Sequence, residues 1–317
     1  TDPMRIHLIG VAGSGMSGIA SLLIDLGHRV SGSDRVMTSE TERLQRAGLD
    51  FHCPHSAGTL SDAQLVIYSS AIKLGNVVYD AAVEMGLPML RRAEALSHIM
   101  VGQKGIVIAG THGKTTTAAL AAHVLRAAGV EPSHYIGAEI PILGTNAHWE
   151  SKGKYFVAEG DESDGSLVEF NPEIAMILNI EEEHLDYYSG GIEEIREILR
   201  RFVEATAGGV VYCGSDVEAS SLCASRKGSI SYGWDQGFNF CARIHNLRER
   251  SSDFEVLRDG RVIGNVTLGI PGEHNVLNAL AVVALATTLG ARFDDVVEAM
   301  RTFRGARRRF DVLYRSA

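Results

Sequence analysis

The chain of 317 residues is 45% hydrophobic and 22% charged, the balance of an ordinary soluble globular protein, and its length suggests about two domains. A formal net charge of −9 excludes a surface built for non-specific binding to nucleic acid or an anionic membrane, but not a local site for a small anion. No apolar run approaches the roughly 20 residues of a membrane span, and no signal-peptide pattern opens the chain, where Thr1-Asp2-Pro3 before Met4 reads as a remnant.

Strands and helices alternate in the expected order. Arg5-Ile6-His7-Leu8-Ile9 reads as a strand, followed by a helix to about Leu26 that Gly27 stops. A second strand starts at Arg29-Val30-Ser31 and ends near Asp34; residues 39–47 read as a helix closed by Gly48. Leu65-Val66-Ile67-Tyr68 is a third strand, and a helix around 77–85 stops at Gly86. Short βαβ units of this kind build a parallel sheet.

The pattern restarts with the buried strand Ile106-Val107-Ile108-Ala109 and an alanine-rich helix, 115–128, ending at Gly129. Residues 155–158 and 174–178 read as buried strands, and Val210-Val211-Tyr212 as another. Ile192, Ile195, Leu199, Phe202 and Val203 fall on one helical face. From about 237 to 269 alternating residues flank Asp259-Gly260, a hairpin signal, so an antiparallel insertion is expected before a helix over 275–289. The fold class is α/β: a Rossmann-like parallel-sheet domain (4–93), then a P-loop-type α/β domain (94–305) with a small antiparallel insertion. Cys53, Cys213, Cys223 and Cys241 lie far apart with no C-x-x-C pair, which argues against zinc or a disulfide framework and for a reducing cytoplasm.

Two glycine turns carry the chemistry. Gly13-Ser14-Gly15-Met16-Ser17-Gly18 matches G-x-G-x-x-G after a strand, with Asp34 where a ribose-binding acid falls. Such glycines let backbone approach a pyrophosphate at a helix N-terminus. NAD is the default ligand, a UDP-sugar presents the same chemistry, and a plain structural turn is the alternative. Gly110-Thr111-His112-Gly113-Lys114-Thr115 is a shortened relative of G-x-x-x-x-G-K-[ST], whose first glycine would fall at Ile108. Lys114 suits β- and γ-phosphate oxygens and the Thr115 hydroxyl suits Mg²⁺; the plain alternative is a strand–helix turn with an exposed lysine. The acidic run Glu159-Gly160-Asp161-Glu162-Ser163-Asp164 follows a buried strand, where ligands gather in open α/β sheets, and Glu159 is the first candidate for a metal ligand. His184, in the acidic stretch after the strand 174–178, reads either as a surface residue or as a ligand.

Together these residues resemble the Mur ligases, ATP-dependent amide-forming enzymes of peptidoglycan precursor synthesis. The carrying segments are Gly10 to Ala20, Ser31-Gly32-Ser33-Asp34, Ser69-Ser70-Ala71-Ile72, Arg91-Arg92-Ala93-Glu94 and Gly110 to Thr117. Glu159 to Asp164, Asn179-Ile180-Glu181, His184-Leu185-Asp186, Gly272 to Ala279 and Phe303 to Phe310 complete them. Gly-Met-Ser-Gly-Ile-Ala and Asp-Glu-Ser-Asp bring the chain nearest to members that join L-alanine to UDP-N-acetylmuramate; a murein-tripeptide recycling member is less similar at the acidic segment. The resemblance implies that Gly13, Ser14, Gly15, Met16, Ser17, Asp34, Ser69, Ser70 and Ala71 bind the UDP-sugar. It implies ATP contacts from Gly110, Thr111, His112, Gly113, Lys114, Thr115 and Thr116, and adenine or ribose contacts from His274, Asn275 and Asn278. It gives Mg²⁺ to Thr115, Glu159 and His184, and catalytic roles to Lys114, Glu159 and His184.

The implied reaction passes through an acyl phosphate, with small molecules as the partners, neither nucleic acid nor membrane. The resemblance also implies that 306–317 is a hinge into a third domain absent from this chain, so that a fragment binding both nucleotides but ligating poorly is expected. A nucleotide-binding module without catalysis and an NAD-dependent oxidoreductase are the alternatives.

Overall fold

β-Branched and leucine-rich runs separated by glycine stops give two α/β units in the computed structural model, which describes residues 2–161, 166–181 and 191–305. The first unit runs to Gly102 and includes Asn146–Trp149; the second comprises Gln103–Thr145 and the described residues from Glu150 on.

The first unit contains β1 (Arg5–Ile9), α1 (Ser14–Asp25), β2 (Arg29–Ser33), α2 (Ser39–Ala47) and β3 (Asp50–His52). It continues through β4 (Leu65–Tyr68), α3 (Val77–Glu84), β5 (Met89–Arg91) and α4 (Arg92–Met100). All five strands are parallel, in the order β3-β2-β1-β4-β5. The chain winds outward both ways from β1, so the switch point lies between the carboxyl ends of β1 and β4, the usual place for a ligand crevice. Local chemistry sets the helix ends. Thr38 and Thr41 form a reciprocal capping box on α2, and the Asn76 side chain accepts the Val78 and Tyr79 N–H groups at α3. Ile9, Leu60, Val66, Val78 and Ala82 pack into one buried cluster beneath the crevice.

The second unit begins with β6 (Lys104–Ala109), α5 (Lys114–Ala127) and β7 (Ser133–Tyr135); the short β8 (Ala147–His148) that follows belongs to the first unit. Then come β9 (Tyr155–Glu159), β10 (Ile174–Ile177), α6 (Ile192–Ala205), β11 (Val210–Cys213), α7 (Val217–Cys223) and β12 (Ile230–Gly233). β13 (Phe240–Leu247), β14 (Ser252–Arg258), β15 (Arg261–Leu268), α8 (Glu273–Thr288) and α9 (Phe293–Thr302) follow. Strand order is β15-β14-β13-β12-β11-β10-β6-β9-β7, parallel from β7 through β13 and antiparallel beyond.

The expected antiparallel segment is therefore the edge of the main sheet. Its turn has Asp259 and Gly260 both at positive φ, 48° and 75°, the geometry that matches hairpin twist. α8 is apolar nearly all round because it is buried: residues 279–286 are each 1% exposed or less, packed with α5 against the sheet. Three-residue strands β3, β5 and β7, together with α4, α7, β12 and α9, extend the pattern beyond the elements expected from sequence.

Candidate active site

In the first unit, β1 ends in a glycine turn that feeds α1. Gly10 and Val11 N–H donate to the Ser33 carbonyl at 2.9 and 3.3 Å, binding the turn to the end of β2. Asp34 braces the same turn: its carboxylate accepts the Ala12 N–H at 2.9 Å and the Arg35 N–H at 2.7 Å. Gly13 sits at the N-cap position of α1 without a side-chain cap, and the first N–H groups of a helix lack intrahelical partners. Ser14 is exposed and Gly15 half-buried, whereas Met16 and Ser17 turn their side chains inward; ligand contact by the last two can pass only through backbone. A Cβ on Gly10 would lie 3.5 Å from the Ser69 Cβ and 3.6 Å from Ile72 Cδ1, so Ser69 faces the turn across the switch point, and Ser70 and Ala71 follow it in the same loop after β4. Asn146, which sequence reasoning missed, donates to the Ser14 carbonyl at 2.9 Å and the Ser17 hydroxyl at 3.3 Å.

Beneath this turn His7 is fully buried, its ring nitrogens 2.8 Å from the Ser31 hydroxyl and 3.1 Å from that of Ser33. Burial, reinforced by the nearby His52 and His55 rings, lowers its pKa to about 4, so it is a neutral bridge between the serines.

In the second unit, Gly110 to Thr116 form one turn entering α5. Gly113 adopts a left-handed conformation (φ 83°) and a Cβ there would stand 2.7 Å from Asn278 Oδ1, so both backbone and space require glycine. Lys114 folds its ammonium back onto the loop, donating to the Gly110 and Thr111 carbonyls at 2.6 and 3.2 Å. Thr115 donates its hydroxyl to Glu159 Oε1 at 2.9 Å, and Gly137 N–H donates to Glu159 Oε2 at 2.9 Å. A threonine hydroxyl and a carboxylate beside a helix N-terminus are hard oxygen donors, the kind that Mg²⁺ takes. Among the described residues no three His, Cys, Asp or Glu side chains cluster as a metal site.

Beside the loop lies a cavity of about 540 Å³, of a size to hold a nucleoside. His112, Gly113, His274 and Asn278 line it, as do Asn179, which the sequence marked within a segment but without a role, and Asp216 and Trp234, which sequence reasoning did not single out. Leu178, Cys213, Tyr232 and Leu277 supply its apolar wall. Asn275 is not among the lining residues; it is 1% exposed and donates to the Pro271 carbonyl at 2.6 Å, supporting the start of α8. Asp216 caps α7 through Ala219 N–H at 2.8 Å. These three residues share one signal: Asn179, Asp216 and Trp234 each come within a few positions after β10, β11 or β12, at the sheet's carboxyl edge. His184, and with it Glu162 to Asp164, lies outside the described residues. Arg304 donates to the Arg301 and Phe303 carbonyls, and Arg307 to Arg309 also lie outside the described residues.

Residues 5–104 match the description "Mur ligase family, catalytic domain", and residues 108–286 match "Mur ligase middle domain". The UDP-N-acetylmuramate–L-alanine ligase of Geotalea daltonii is 40% identical over 311 residues, which cover 97% of this chain and 68% of that protein. The protein of that name from Geobacter sulfurreducens is 39% identical over 311 residues, covering 97% and 67%. Among solved structures, UDP-N-acetylmuramate-alanine ligase MurC from Thermotoga maritima superposes with a TM-score of 0.89 at 30% identity, covering 99% of this chain and 71% of that one. A UDP-N-acetylmuramate:L-alanyl-gamma-D-glutamyl-meso-diaminopimelate ligase from Neisseria meningitides gives 0.86 at 27%, covering 96% and 100%.

Proposed function

The chain belongs to the Mur ligase family, and from that premise we propose that it uses ATP to join the carboxylate of UDP-N-acetylmuramate to L-alanine. The observation that carries the reading is one constellation in the second unit: Lys114, Thr115 and Glu159 gathered at a helix N-terminus, next to a nucleoside-sized cavity. The specific substrates are carried by relatives about 40% identical that bear that activity in their names. An NAD-dependent oxidoreductase would leave this second constellation without a purpose.

In this reading the turn 10–13, the start of α1, Asp34 and Ser69 to Ala71 hold the UDP-sugar in the first unit. Gly110 to Thr116 hold the triphosphate. His274 and Asn278 contact the nucleoside, joined by Asp216 and Trp234, and Asn275 supports Asn278, 3.4 Å away, rather than the ligand. Thr115 and Glu159 fit Mg²⁺, which would screen the phosphate charge and draw carboxylate and triphosphate together; the proposed third ligand is His184.

The chemistry follows from what a carboxylate lacks. It is a poor electrophile, so an amine cannot displace oxygen from it at neutral pH. Transfer of the γ-phosphoryl group to the carboxylate oxygen breaks the bond to ADP and creates an acyl phosphate. The amine of alanine then attacks the carbonyl carbon, and inorganic phosphate leaves. No side-chain nucleophile is needed. Lys114 is the cation that offsets the negative charge of the migrating phosphoryl group, once its ammonium exchanges the loop carbonyls for phosphate oxygens.

Titration calorimetry tests the reading. ATP with Mg²⁺ and UDP-N-acetylmuramate should each bind at about one equivalent, and Lys114→Ala should lose the first and keep the second. Binding of NAD in place of both would refute it.

A further inference from the structure

Thr111 and His112 stand between two glycines, Gly110 at φ 140° and Gly113 at φ 83°. A loop hinged on glycine at both ends has much freedom to lose when it closes on a ligand. In this fold the loop is held before any ligand arrives, by residues that follow β10. Asn179 bridges the two peptide groups that flank His112: Oδ1 accepts the His112 N–H at 2.7 Å, and Nδ2 donates to the His112 carbonyl at 3.0 Å. The Asn179 carbonyl accepts the Thr111 N–H at 3.0 Å, and Glu181 N–H donates to the Thr111 hydroxyl at 2.8 Å. Gly110 lets this contact close, since a Cβ there would meet Asn179 O at 3.0 Å and N at 3.1 Å.

We infer that Asn179 is a positioning residue of the triphosphate loop: it fixes the backbone on both sides of His112 so that the start of α5 meets the phosphates already in place. This rests on the reading of Gly110 to Thr116 as a nucleotide site. A primary amide offers a donor and an acceptor side by side, as the N–H and C=O that flank the His112 Cα demand, and the asparagine here has the reach. Because the Thr111 and His112 N–H groups are spent on Asn179, phosphate contacts fall to the first turn of α5 and to Lys114. Preorganisation of this kind acts on affinity for the phosphates rather than for the base.

The test compares ATP with adenosine on the whole 317-residue chain. Asn179→Ala loses two side-chain hydrogen bonds and should weaken ATP about tenfold or more, adenosine, whose cavity Asn179 also lines, severalfold less, and UDP-N-acetylmuramate not at all. Amide hydrogen exchange at Thr111 and His112 should quicken in the same variant without ATP, with exchange in β6 and β10 as in the wild type. If Asn179→Ala does not fold, Asn179→Leu keeps the volume and deletes donor and acceptor alike without adding charge, so the exchange readout at His112 carries over. Equal ATP affinity and equal loop exchange in wild type and variant overturn the role of Asn179 alone. A parallel loss of ATP, adenosine and melting temperature also overturns it, showing a merely structural contact. A wild-type chain that fails to bind ATP removes the nucleotide site itself, and this role with it.

Discussion

Replacing Glu159 by glutamine removes one charge and almost none of the shape, so it isolates what the carboxylate does. In the wild type its two oxygens accept one bond each, from Thr115 and Gly137, both at 2.9 Å. An amide can keep both contacts, with its oxygen on Gly137 N–H and its NH₂ toward a Thr115 hydroxyl that rotates to accept. What is lost is charge assistance. Hydrogen bonds to ions contribute about 1.5–3 kcal/mol against about 0.5–1.5 for neutral ones, and a half-buried group realises only part of the difference. The cost to folding should be about 1–2 kcal/mol, a shift of a few degrees in Tm for a domain of this size.

The effect on ATP has a sign that depends on metal. Without Mg²⁺ the carboxylate repels the triphosphate, so Glu159→Gln should bind ATP as well as the wild type or better. With Mg²⁺ the wild type gains a ligand that the variant lacks, and the variant should be weaker by at least about tenfold. Calorimetric titration of ATP in EDTA and in excess Mg²⁺ reads both signs on one sample. An unchanged magnesium-dependent gain in Glu159→Gln would refute Glu159 as a ligand. An equal loss in both buffers would show that Glu159 acts only by holding Gly137 and Thr115.

The other expectations are separable by unit. Asp34→Ala removes the acceptor of the Ala12 N–H and should weaken UDP about tenfold with ATP unaffected, whereas Asp34→Asn keeps the acceptor and most of the affinity; equal UDP affinity in wild type and Asp34→Ala refutes it. Trp234 is one of two tryptophans, so in Trp149→Phe the remaining emission comes from the cavity rim and should change on adding ATP but not UDP; an ATP-silent spectrum places the nucleoside elsewhere. Gly113→Ala forces a Cβ into a left-handed position costing roughly 1–2 kcal/mol before its clash with Asn278, and should abolish ATP binding while sparing UDP. His7 has a native pKa of about 4 against an unfolded value near 6.5. The unfolded chain therefore takes up the proton first: stability is complete above about pH 6.5, falls by up to about 3 kcal/mol on the way down to about pH 4, and is then flat. Urea midpoints followed down that range should fall less steeply in His7→Asn, and an identical slope would refute the assignment.

Much of the fold was legible because the elements that matter are long or glycine-bounded. α1, α2, α3 and α5 each end within a residue or two of a glycine stop, and Asp259-Gly260 announced its hairpin. β3, β5 and β7 were not, since three residues cannot display a period. α9 carries a stripe of Val296, Ala299 and Met300 behind an acidic first turn, a signal present in the sequence but weak beside the long α8. In the site, glycines and Lys114 could be picked out as candidates because backbone geometry and phosphate charge dictate residue type. Asp216 and Trp234 could not, and Asn179 was visible only as part of a segment without a role, because a polar or aromatic residue after a strand is ordinary, and what distinguishes them is contact across long separations. Asn179 and His112 are 67 positions apart.

The shortened loop draws these points together. Ile108, where the longer template has its first glycine, is 0% exposed within β6, so the strand runs further and the loop has fewer residues of its own. Two of their N–H groups are already committed to Asn179. A long phosphate loop wraps its ligand in its own amides; this one is rigid but poor in donors. In the proposed reading the burden of neutralising the triphosphate then shifts to the first turn of α5, to Lys114 and to the metal that Thr115 and Glu159 would hold. That is why the metal dependence of ATP binding, rather than ATP binding alone, is the measurement on which the proposed chemistry turns.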